Sequence, residues 1–164
     1  MKAKYIFFIS VFGLLIVFLI WFGYNFAPGS YPYAEIYELN KTESDVVNAI
    51  KIIKEENPQL NVPQQMGLID GRSRDPRDYW YHVYFFYPEE GQIVNTWVKG
   101  IVFKNEKTQL AFVSLNEGLT IGKWKRINQD FSRSENKEHK RKFEERILNK
   151  VETKLGVKHN WKWW

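Results

Sequence analysis

Apolar residues fill positions 5 to 24 almost without a break, interrupted only by Ser10, Gly13, Gly23 and the terminal tyrosines. No charged side chain lies between Lys4 and Glu35. Twenty helical residues at about 1.5 Å each reach roughly 30 Å, the hydrocarbon thickness of a bilayer. The pattern predicts an uncleaved transmembrane signal-anchor helix over 5–24, within a first segment 1–27. The run is too long, and Asn25 and Ala27 are too poor a small-residue pair, for a cleaved signal peptide.

Beyond the stretch 28–33, read as a short Pro/Gly stalk, the pattern changes to that of a folded domain over 34–156. Residues 34–39 read as a first strand. Thr42 is a natural N-cap, followed by Glu43 and Asp45 in the first turn, where the helix dipole favours acids. Val46, Ala49, Ile50 and Ile53 then recur at helical spacing, with Val47 and Ile52 widening the stripe and Lys51, Lys54, Glu55 and Glu56 expected in water. Asn57-Pro58 ends this helix. Residues 59–78 show no period and read as a long loop.

Sheet chemistry follows. Residues 79–87 are nearly all aromatic or β-branched and are bounded by Pro88-Glu89-Glu90-Gly91. Residues 93–103 and 110–115 make two further strands, separated by a turn at 105–108, and the three form an antiparallel meander. Ser134 with Glu135 and Glu138 opens a second helix, whose stripe is Phe143, Ile147, Val151 and Leu155 with Leu148 beside them, and Gly156 is its C-cap. The tail 157–164 is basic and aromatic. The expected fold is α+β: a transmembrane helix, then a two-layer sandwich of an antiparallel sheet of about four strands with two helices on one face.

Charge sets the orientation of such a chain. Lys2 and Lys4 precede the apolar run and acids follow it, so the positive-inside rule puts the amino terminus in the cytoplasm. The domain is then periplasmic or extracellular, on a bacterial inner membrane. Trp21 and Tyr24 fit an interfacial aromatic belt, and Trp161, Trp163 and Trp164 of the tail offer a second one. The formal charge is +5, and removing the two leading lysines leaves +3, too mild for nucleic acid as a partner. With no cysteine, disulfides, zinc-thiolate sites and thiol nucleophiles are excluded.

Three sets of residues carry chemistry. Arg72, Arg74 and Arg77 alternate with Asp70, Asp75 and Asp78 beside Tyr79, Trp80 and Tyr81, and arginine forks next to aromatic surface are typical of interface centres. Both alternating sets of 79–87 are bulky, so a sheet covered on one face would expose rings such as Trp80 and Tyr84, with Trp97, on the other. His82 with Asp75, Asp78 or Glu89 is the one acid–base grouping, and the three histidines show no metal-ligand spacing. The expected function is protein recognition without catalysis, metal or cofactor, through Arg72, Arg74, Arg77, Trp80, Tyr84 and Trp97. The chain would be an accessory subunit of an envelope membrane complex or an immunity-type protein. The alternative is a glycan- or peptidoglycan-binding module using Trp80, Trp97 and Trp124 as stacking platforms, and third a small hydrolase using His82.

Overall fold

The computed structural model describes residues 2–26, 33–76, 78–101 and 104–161. The chain divides into two compact units, Met1–Pro32 and Tyr33–Trp164. The first contains one helix, α1 (Lys2–Phe26). Its described side chains, Phe8, Ser10 and those of 11–21, are all exposed, with the rings of Phe18 and Trp21 6.2 Å apart.

Here the structure corrects the sequence reading. Among the described residues no helix is long and apolar enough to cross a membrane. The expected transmembrane signal-anchor over 5–24 does not stand. Neither does the inner-membrane address with a periplasmic domain. The side chains of Tyr24 and Trp161, and residues Trp163, Trp164, Arg77 and most of the 28–33 stalk, lie outside the described residues.

The second unit is α+β. Its strands are β1 (Glu35–Leu39), β2 (Gly71–Arg72), β3 (Tyr81–Tyr87), β4 (Gln92–Ile101), β5 (Lys104–Glu117), β6 (Trp124–Arg126) and β7 (Asn160–Trp161). All pairings are antiparallel, in the order β2-β3-β4-β5-β1-β7, with β6 beside the far end of β5. The sheet therefore has seven strands where about four were expected. The additions are short: β2, β6 and β7 have two or three residues each and carry no period of their own. Residues 105–108, expected as a turn, lie inside β5, which bulges against β4 near Asn95/Thr96 and Gly100/Ile101.

The helices are α2 (Glu43–Glu56), α3 (Arg133–Phe143) and α4 (Asn149–Leu155), the last two joined by a π turn over Glu144–Leu148. Thr42 caps α2 by accepting from the Asp45 N–H at 3.2 Å. A capping box of Ser132 and Glu135 opens α3, two residues before the expected Ser134, because Ser132 and Glu135 satisfy each other's backbone N–H. Gly156, at φ 67°, closes α4 in the left-handed conformation that glycine takes without strain.

One sheet face and the helices share the core. Val46, Ile50 and Ile53 of α2 and Phe143, Ile147, Leu148 and Val151 pack on Tyr37, Val83, Phe85, Val94, Val98, Leu110 and Phe112. Phe143 stacks on Phe112 at 4.7 Å and on Tyr37 at 5.6 Å. Burying each such side chain contributes about 1.5–3 kcal/mol, so this layer dominates the stability of the unit. Tyr37 donates its hydroxyl to Glu144 at 3.0 Å, and burial, then the Glu144 and Glu35 charges, raise its pKa far above the usual phenol range. Ile52, expected in the stripe, is 41 % exposed.

Candidate functional site

The opposite face of the sheet carries a second apolar cluster, Trp80, Trp97, Ala111 and Val113, with Ala34 and Ile36 against it. No helical residue belongs to it, so this outer face is covered by its own side chains. Strand alternation puts His82, Tyr84 and Phe86 of β3 here with Asn95 and Trp97 of β4, because residues two apart share a face. The rings form a chain. Trp80 and Trp97 lie 5.6 Å apart, tilted by 45°, and His82 meets Trp97 edge-on at 5.2 Å. Tyr84 lies 6.5 Å from His82 and 6.4 Å from Trp124 of β6.

Tyr84 pairs with Asn95, which pairs with Ser114, so the Tyr84–Trp124 contact passes over those two polar residues. Asn95 Nδ2 donates to Ser114 Oγ at 3.2 Å, while Asn95 Oδ1 is buried with no hydrogen bond. Trp80 and Trp97 are buried; His82, Tyr84, Phe86 and Trp124 remain half-exposed. Burial, then the charges of Asp70 and Asp78, raises the Tyr84 pKa, so its hydroxyl stays a hydrogen-bond donor.

Two ionic arrangements fix β3. Lys54, expected in water, is buried: its Nζ donates to Asp70 Oδ2 at 2.5 Å and to the Tyr84 carbonyl at 2.9 Å, while Asp70 Oδ1 accepts from the Tyr84 N–H at 2.9 Å. Near the start of the strand, His82 Nε2 donates to Asp78 Oδ2 at 2.7 Å, and Asp78 Oδ1 accepts from the Trp80 N–H. The carboxylate only accepts, so the His82 Nε2 carries the hydrogen. The pair orients an imidazole on an open aromatic face.

Arg72 and Arg74 are the described arginines of the set. Arg72 Nη1 donates to the Tyr79 carbonyl at 2.8 Å, and its Nη2 binds Glu43 Oε1, whose other oxygen accepts from the Gly100 N–H. Arg72 thus ties β2 to α2 and to β4. Arg74 is exposed. Tyr79 is exposed too, with the Lys99 ammonium 5.5 Å from its ring centre and 5.3 Å from that of Trp80.

Sequence reasoning passed over the loop 117–123. It exposes Leu119 and Ile121, yet it is held from beneath by buried Asn116, which donates to the Gly118 and Thr120 carbonyls and accepts from the Lys123 N–H. The available signal was two aliphatic residues between glycines, Gly118 and Gly122, where a solvated loop needs neither. Among the described residues no group of three or more His, Asp or Glu is placed to hold a metal ion. No protein-family model, curated protein or solved structure matches the chain.

Proposed function

We propose that the unit Tyr33–Trp164 works by recognising a protein partner through the outer face of its sheet, as the recognition subunit of a complex or as an immunity-type interceptor. One observation carries the reading. Helices α2, α3 and α4 pack on one face, and the other keeps a half-exposed row of rings, His82, Tyr84, Phe86 and Trp124. Aromatic side chains on rigid strands supply contact area at small entropic cost, and protein interfaces concentrate them at their centres. Exposed Tyr79, Leu119 and Ile121 add apolar surface.

The glycan alternative draws less support, because Trp80 and Trp97 are covered and the Tyr84 and Trp124 rings meet at 51° instead of forming a coplanar platform. The hydrolase reading has the His82–Asp78 pair as its support, set on a surface and not in a cavity. Chemical cross-linking of the tagged full-length chain in its native cells tests the proposal. The expected result is one stoichiometric partner, lost in Tyr84→Ala and Trp124→Ala and kept in Lys51→Ala. A partner kept by both ring variants, or none at all, overturns it.

A further inference from the structure

An open cleft of about 480 Å³ separates α2 from α4, within the size range of small-ligand sites. Ile53 floors it, with Asn57, Asn149, Lys150 and Thr153 on its walls and the Lys154–Glu56 pair at its margin. The π turn builds this lining. Its closing bond runs from the Asn149 N–H to the Glu144 carbonyl, so the turn holds one more residue than an α-helix would. That residue rotates everything after it by about 100°, which turns Asn149, Lys150 and Thr153 toward α2. Such insertions are rare and frequently lie at functional sites.

The polar groups in the cleft are unequally engaged. Lys154 is spent on both oxygens of Glu56, at 2.7 and 2.9 Å, and Thr153 donates to the Asn149 carbonyl. Asn57 Nδ2 donates to the Ile53 carbonyl, which leaves its Oδ1 facing the cleft side of Lys150 at 3.5 Å. That long contact is the one the Lys150 ammonium makes among the described residues, and the Asn149 side-chain amide makes none. A cation, an amide and an amide oxygen stand ready around an apolar floor.

We propose that this cleft binds a small carboxylate with an adjoining amide, the chemistry of a peptide's C-terminal end. The carboxylate pairs with Lys150, the adjoining N–H donates to Asn57 Oδ1, its carbonyl accepts from Asn149, and a small apolar side chain covers Ile53. An anion is selected because Lys150 is the one unspent charge on the lining. The site lies on the helix layer, so it stands or falls apart from the outer-face reading.

The test follows backbone amides of 53, 56, 57, 149, 150, 153 and 154 in the ¹⁵N-labelled full-length chain during titration with acetyl-Ala-Ala. The free-acid peptide is expected to give saturable shifts confined to these residues. Its C-terminally amidated form, and the free acid on Lys150→Gln, should bind at least fivefold more weakly. Asn149→Ala, another exposed position, should weaken binding of the free acid and leave the thermal midpoint unchanged. No saturable shift with the free acid overturns the proposal, as does equal binding of the amidated peptide. Acetate or inorganic phosphate matching the peptide also overturns it, by reducing the cleft to a lone cation.

Discussion

Glu152 is 2 % exposed at the middle of the last helical segment, and three donors converge on its carboxylate. Lys158 Nζ reaches Oε2 at 2.7 Å, while the His159 N–H and Nδ1 reach Oε1 at 2.8 and 2.5 Å. Burial pushes its pKa up, but the hydrogen bonds from Lys158 and His159 outweigh it and hold the carboxyl below its ordinary value. A depressed folded pKa means stabilisation that is complete above the unfolded value and is lost as pH falls through the folded one. Glu152→Gln should therefore cost about 1–3 kcal/mol at pH 7, read as a lower urea midpoint. As the pH falls below the ordinary carboxylate range the variant and the parent should converge; a gap that widens in acid would contradict the assignment. The residue was invisible in the sequence for a physical reason. A regular helix carries the stripe of Phe143, Ile147 and Val151 past position 152, whereas the π turn adds a residue and brings Glu152 inward as well. Lys54 escaped for a related reason, since an amphipathic pattern assigns a lysine to water and cannot register the carboxylate sixteen residues on that pairs with it.

At the scale of elements, that lysine guards an edge. Beyond its two pairs with β2, strand β3 would present open backbone groups, the kind of edge that recruits foreign strands. Lys54 and Asp70 satisfy both the N–H and the carbonyl of Tyr84 and so end the ladder there. Asp70→Ala removes the acceptor and leaves a buried ammonium without its counter-ion. It should lower stability by about 2 kcal/mol and speed hydrogen exchange at the Tyr84 amide at least tenfold. Unchanged exchange there would show that the edge is closed without the clamp. The strong elements were legible: α2 from its cap and period, β3 and β4 from their β-branched and aromatic runs. The short strands were not, because two or three residues hold no period and owe their conformation to the strand they meet. Residues 105–108 read as a turn from Asn105 and Lys107, yet pairing to β4 and β1 keeps the chain extended through Thr108. The aromatic face was legible as an excess of rings, but alternation alone could not show that Trp80 and Trp97 would bury each other.

For the molecule as a whole, every residue of both apolar clusters comes from position 34 onward. A chain trimmed to Tyr33–Trp164 should accordingly fold, with near-UV circular dichroism and a thermal midpoint within a few degrees of the parent. A molten spectrum would mean that residues 1–32 are needed to order the second unit. The reading of 5–24 as a bilayer span rested on the length of its uncharged apolar run and on the lysines before it.

The position of β1 has a consequence for synthesis. It joins the sheet between β5, about seventy residues further on, and β7 at the far end, so the first strand to leave the ribosome finds its neighbours late. Until then Tyr37 and Leu39, fully buried in the finished domain, are exposed on a nascent chain. The sheet is thus completed only once β7 has been made, and the closing of that long loop slows its folding.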